Sequence, residues 1–163
     1  MKIGIMGGTF NPIHNAHLLI AEMAREEYGL DRVIFITDGN PPHKSANVTA
    51  KQRFEMTHIA IADNSAFEED DFEINRSEKS YTVNTLGYLK EKYPNNDLFF
   101  IIGEDSLNDF DKWYKPDKIL EMCSLLVFPR KSLKSLTETI KVVKETVGYF
   151  LYQHPFLEYL QRI

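Results

Sequence analysis

At 163 residues the chain has the length of one domain, enough for a single core that buries roughly 68–70% of the surface its unfolded form exposes. A composition of 43% hydrophobic and 26% charged residues excludes a disordered or fibrous chain, and a net charge of -5 argues against a nucleic-acid partner held through its phosphates. A small anionic ligand in a local pocket is left open. The single cysteine, Cys123, excludes an internal disulfide and suits a reducing, cytoplasmic setting; inside the apolar run "MCSLLVF" it reads as a buried, inert thiol. No signal-peptide pattern opens the chain, and no apolar run nears the roughly 20 residues of a membrane span, so no membrane partner is expected.

Taken in order, short apolar runs alternate with longer helix-patterned stretches, the pattern of βα units around a parallel sheet covered on both faces. Strands are expected at Lys2–Met6, Arg32–Thr37, Leu98–Ile102, Ser124–Phe128 and Gly148–Leu151. A crossover helix starts near Asn15, with Leu19, Ile20, Met23 and Ala24 as its apolar stripe opposite Glu26 and Glu27. Further helices are expected at Thr49–Ala62, Thr82–Tyr93 and Leu133–Glu145, with a broken helical patch over Leu107–Glu121. The acidic "EEDDFE" reads as a solvated loop. Right-handed crossovers then give an α/β, doubly wound, Rossmann-like fold with a five-stranded parallel sheet and helices on both faces, in one domain over 1–163. Ligands of such sheets bind outside the carboxyl ends of the strands, where "GGTFNPIHNAH", "DGNPPHK", "GEDS" and "PR" all fall.

The first of these stretches carries the chemistry. Gly7 and Gly8 can adopt positive φ and let backbone N–H groups approach a ligand without a Cβ in the way, while Thr9 and Asn11 offer short polar side chains and Pro12 stiffens the turn. Neither common glycine-rich nucleotide fingerprint is present. His14 and His17, three apart on a first helical turn, face the same way and can donate hydrogen bonds to phosphoryl oxygens beside the positive end of the helix dipole. Two histidines without a third ligand at useful spacing do not make a zinc site.

"GGTFNPIHNAH" resembles the H-x-G-H motif of nucleotidyltransferases, in the form found in bacterial nicotinate-nucleotide adenylyltransferases. "PPHK", "QRFEM", "SYTVNTL", "IIGEDSL", "WYK" and "VFPR" follow in the family's order, so the resemblance runs from about Met1 to Arg130. Ala16 stands where the motif has glycine, which matters only if the backbone there needs a positive φ. The resemblance implies direct transfer of AMP from ATP to nicotinate mononucleotide, releasing pyrophosphate, with Mg2+ carried by the ATP phosphates and no chelating set on the protein. Related acceptors, nicotinamide mononucleotide or phosphopantetheine, and a nucleotide-binding module without turnover are the competing readings.

On this resemblance His14, His17 and Lys44 are the catalytic group, and Gly7, Gly8, Thr9, Phe10, Gly103, Asp105 and Arg130 join the histidines around ATP. Asp105 would accept from the ribose hydroxyls, with capping of the next helix as its structural alternative. Asn11, Lys44, Arg53, Ser80, Tyr81, Thr82, Thr85 and Trp113 would hold nicotinate mononucleotide. For Arg53 the alternative is a surface salt bridge, and for His43 a plain loop residue. Trp113 would stack on the pyridinium ring or else anchor the core, and the helix opening at "SYTVNTL" would take the carboxylate on its N–H groups. The family continues after its last strand into an "ISSTxIR"-like segment; "YFLYQHPFLEYLQRI" does not match it, and Arg162 is not paired with its arginine. Assembly into a homo-oligomer is left open.

Overall fold

The computed structural model describes residues 1–39, 48–128 and 150–151. Within the described residues six parallel strands form one sheet: β1 (Lys2–Gly8), β2 (Arg32–Thr37), β3 (Phe67–Asp70), β4 (Asp97–Gly103), β5 (Ser124–Phe128) and β6 (Phe150–Leu151), in the order β3-β2-β1-β4-β5-β6. Among the described residues five helices accompany them: α1 (Asn15–Tyr28), α2 (Ala50–Ile61), α3 (Thr82–Lys92), α4 (Glu104–Asn108) and α5 (Pro116–Met122), with a 3-10 turn at Phe110–Lys112. This is the expected doubly wound α/β fold. The helix read over Leu133–Glu145 lies outside the described residues.

Alternation along the strands divides the core in two. Ile3, Ile5, Ile34, Ile36, Phe100 and Ile102 face the side that carries Leu86 and Leu89 of α3, whereas Met6, Val33, Phe35, Phe99 and Ile101 face Ala21 and Ala24 of α1. Both faces are covered, which is why these strands read as unbroken apolar runs. Of the expected stripe, Ala24 is buried against the sheet beside Ala21, and Ile20 and Met23 pack on the same core, whereas Leu19 is exposed at 36%. Small side chains let the helix sit close, and its register follows them. Gly29, at φ 62, ends α1 in the left-handed conformation that favours glycine.

The sixth strand corrects the reading of the acidic run. Phe67–Asp70, "FEED", pairs with β2 in the register Val33↔Phe67 to Ile36↔Asp70. Its acids each have a partner: Glu68 accepts from Arg32 at 2.8 Å, Glu69 lies against the His58 ring, and Asp70 accepts from Lys92 at 2.8 Å and the Tyr88 hydroxyl at 3.1 Å. Those partners lie as many as 36 residues away in sequence. Local strand propensity is poor there, and tertiary pairing overrides it. Cys123 is buried, and that burial pushes its thiol up to about 12, as an inert cysteine requires.

Candidate active site

Strands β1 and β4 lie side by side, yet the chain leaves β1 toward β2 and enters β4 from α3, so a crevice opens between their carboxyl ends. There the structure has a cleft of about 2230 Å³. Pockets for one small ligand span roughly 300–1,000 Å³, so this one has room for two nucleotides.

One wall is the turn from β1 into α1. His14 is the residue before the first turn of α1, and His17 is the third within it; their rings stack with centroids 3.8 Å apart and planes 27° from parallel. The His17 Nδ1 accepts the His14 backbone N–H at 3.2 Å, which leaves the ring proton on Nε2. Phe10 packs edge-on against His17 at 5.2 Å and is 3% exposed, so His17 is oriented from two sides. The expected role of the glycines is corrected here. Gly7 and Gly8 belong to the extended strand β1, and the positive φ, 48°, falls on Phe10. A Cβ on Gly8 would lie 2.9 Å from the Phe10 ring, so glycine makes room for that aromatic prop rather than supplying an unusual backbone angle. Ala16 is inside α1 without a positive φ, so the small-for-small change costs nothing in conformation.

Arg53 corrects a second expectation. It is 1% exposed and, among the described residues, neither lines the cleft nor makes a salt bridge. Its guanidinium donates to the carbonyls of Thr9 at 2.6 Å, Asp38 at 2.7 Å and Val48 at 3.3 Å. Burial lowers its pKa and the Asp38 charge opposes that, but an arginine stays protonated in either case. Arg53 therefore ties the turn after β1, the end of β2 and the start of α2 together from behind the cleft. Thr49 caps α2 by accepting the Gln52 N–H at 3.2 Å, which fixes where Arg53 starts from.

The opposite wall comes from α3 and α4. Tyr81 precedes α3 with no side-chain cap, and Ser80, Tyr81 and Thr82 at that helix start line the cleft. Thr85 is 4% exposed, and its Oγ1 has no hydrogen-bond partner among the described residues. Trp113 lines the cleft while its other side packs on Phe110 at 5.1 Å and Phe100 at 6.1 Å, so it is both wall and anchor. Gly103 and Asp105 line the cleft at the end of β4; Gly103 is the residue that precedes α4, and no side chain caps that helix.

Of the expected residues, the structure brings Gly7, Gly8, Thr9, Phe10, Asn11, His14, His17, Ser80, Tyr81, Thr82, Thr85, Gly103, Asp105 and Trp113 to this one cleft. Lys44, with His43, and Arg130 lie outside the described residues. Among the cleft residues that escaped the sequence reading are Asp38 and Glu73. Burial pushes the Glu73 carboxyl up to about 8, the Asp38 carboxylate adds to this, and the Ser80 hydroxyl and Arg76 oppose it. Asp38 directly follows Thr37 at the end of β2, where ligands of such sheets bind, so its position carries a signal; Glu73 follows β3, in the acidic run expected as a solvated loop. Among the described residues no group of three or more His, Cys, Asp or Glu is placed to hold a metal ion. None of their helices is long and apolar enough to cross a membrane.

A family model described as Cytidylyltransferase-like matches residues 5–158. A probable nicotinate-nucleotide adenylyltransferase of Citrifermentans bemidjiense is 46% identical over 93% of this chain and 71% of its own length. One from Pelobacter propionicus is 51% identical over 80% of this chain and 61% of its own. The solved Plasmodium falciparum nicotinic acid mononucleotide adenylyltransferase, complexed with NaAD, superposes with a TM-score of 0.81 at 24% identity, covering 99% of this chain and 79% of that one, a likeness of fold. With the family model over most of its length and close relatives under one name, the chain belongs to the cytidylyltransferase-like family and, within it, to the nicotinate-nucleotide adenylyltransferases.

Proposed function

We propose that this protein transfers the adenylyl group of MgATP to the 5′-phosphate of nicotinate mononucleotide, giving deamido-NAD and pyrophosphate. The observation that carries the reading is the stacked His14–His17 pair at the start of α1, opening on a cleft large enough for both substrates. An oxygen of the acceptor phosphate attacks the α-phosphorus, the bond to the oxygen bridging to the β-phosphorus breaks, and the electron pair leaves with pyrophosphate. No protein nucleophile is needed, so the protein contributes position and charge.

His17 donates its Nε2–H to a phosphate oxygen as charge builds there, and the first turn of α1 adds free N–H groups and the positive end of its dipole. Lys44 and Arg130 add cationic donors to the polyphosphate, and Asp105 accepts from the ribose hydroxyls. Magnesium arrives on the ATP phosphates and neutralises them; such an ion keeps most of its ligands from substrate and water and asks little of the protein. On the acceptor side, the uncapped start of α3 and the free Thr85 hydroxyl suit the carboxylate of the pyridine, while Trp113 and Tyr81 offer ring faces to the pyridinium. Asn11 serves the same substrate.

Pyrophosphate release on mixing the protein with ATP, Mg2+ and nicotinate mononucleotide tests this. Release dependent on all three is the expected result. ATP binding without release supports a nucleotide-binding module instead, and release with phosphopantetheine as sole acceptor supports the other chemistry.

A further inference from the structure

The segment between the 3-10 turn and α5 brings to the acceptor wall a cation that the proposed reaction has not used. Trp113, Tyr114 and Lys115 follow one another there, and all three line the cleft. Lys115 takes φ 51 and ψ 58, a left-handed conformation that residues with a Cβ rarely adopt. Among the described residues Phe10, the prop of His17, is the one other non-glycine with positive φ. The strain is held from α5. Pro116 follows and disfavours the right-handed alternative at Lys115, whose carbonyl accepts the N–H groups of Lys118 at 3.1 Å and of the buried Ile119 at 3.3 Å.

With the backbone turned this way, the Lys115 Nζ stands 5.1 Å from the centre of the Tyr114 ring. That ring meets the ring of Tyr81, the residue before α3, at 4.8 Å. Two ring contacts therefore connect the ammonium to the helix start where the pyridine carboxylate is expected. Of the lysines that line the cleft among the described residues, Lys112 pairs with Asp109 at 3.7 Å, whereas Lys115 makes no ion pair. An aromatic face holds an ammonium in place without neutralising it.

We propose that Lys115 is a specificity-determining residue of the acceptor site: its ammonium pairs with the carboxylate on the pyridine ring and so selects the nicotinate form over the uncharged carboxamide. The inference rests on the proposed function and deepens it. The carboxylate rather than the phosphate is its partner, because the phosphate end belongs to His14 and His17 on α1, whereas Lys115 follows Trp113, the ring face for the pyridinium. Without a carboxylate between them, the ammonium and the positive pyridinium repel, so the same residue attracts one acceptor and disfavours the other.

Isothermal titration calorimetry at neutral pH, with nicotinate mononucleotide and nicotinamide mononucleotide in turn, tests this on the wild type, Lys115→Gly, Lys115→Arg and Lys112→Met. Glycine suits φ 51, so Lys115→Gly should melt at or above the wild-type temperature while lacking the ammonium. It should bind the nicotinate form about tenfold more weakly, the low end of what a charge-assisted hydrogen bond contributes, and the nicotinamide form no more weakly. Lys115→Arg should keep the preference, and Lys112→Met should leave the ratio of the two constants unchanged. Undiminished nicotinate binding in Lys115→Gly overturns the inference. So does equal weakening of both ligands, as a phosphate contact or a loosened Trp113 would give, and so does the same loss in Lys112→Met; each leaves the proposed function standing. Failure of both mononucleotides to bind the wild type overturns the proposed function, and this inference with it.

Discussion

Replacing Arg53 by methionine removes the guanidinium but keeps the length of the side chain, so it isolates the three carbonyls that Arg53 holds. Two of those bonds are short, 2.6 Å to Thr9 and 2.7 Å to Asp38, and the third, to Val48, is 3.3 Å. Hydrogen bonds to a charged donor contribute about 1.5–3 kcal/mol each, so the two short ones amount to about 3–6 kcal/mol before the cost of burying the guanidinium is taken off. A net loss of about 2–4 kcal/mol follows for Arg53→Met, since the abandoned carbonyls stay buried without a donor. In a chain of this size that lowers Tm by about 5–15 °C. The Thr9 carbonyl sits next to Phe10, which props His17, so kcat/KM should fall about tenfold to a hundredfold as the turn loosens. Arg53→Lys keeps the charge without the planar fork and should recover only part of either loss. Thermal unfolding by circular dichroism and pyrophosphate release read the two effects. A variant that melts with the wild type and keeps its kinetics refutes the role of Arg53 as the tie behind the cleft.

Three further outcomes are expected. Gly39→Ala drives a Cβ to 2.1 Å from a backbone oxygen, so the β2 end or the Glu73 segment must move; urea unfolding should show about 1–3 kcal/mol of destabilisation. Because Glu73 binds its proton more tightly in the folded protein than the usual 4.5, its contribution to stability is full below pH 4.5 and is lost as pH rises toward about 8. Glu73→Gln should remove that component from a plot of urea midpoint against pH, and an unchanged slope would contradict the burial. Leu86→Ala, at a site with 0% exposure beneath α3, should cost about 2–5 kcal/mol by the same unfolding measurement, with small effect on the affinity for ATP.

Most of the fold was legible because its strands are buried on both faces and its turns fall where the apolar runs stop. Ile3, Ile5 and Ile34 to Ile36 could be placed without a partner in view. Strand β3 could not, because "FEED" becomes a strand only through Arg32, His58 and Lys92, whose contacts no local window contains. The opening motif announced the His14–His17 pair, since a three-residue spacing on a helix fixes a shared face. It did not announce that Phe10 takes the positive φ or that Gly8 serves to clear its ring. Arg53 was legible as important and illegible in role, because burial of an arginine against backbone carbonyls depends on where three separate segments meet. Asp38 and Glu73 come together where the Glu73 segment packs on Gly39, a contact that belongs to the folded chain.

The central claim is that the imidazoles at the start of α1 hold the polyphosphate while it reacts. A single-turnover measurement of adenylyl transfer by His17→Ala, with circular dichroism and thermal unfolding beside it, tests that most directly. Loss of one such donor is worth about 2.7–4 kcal/mol in a water-excluded site, so the account predicts a rate more than about a hundredfold lower in a protein with the wild-type spectrum and Tm. A rate equal to that of the wild type would contradict it.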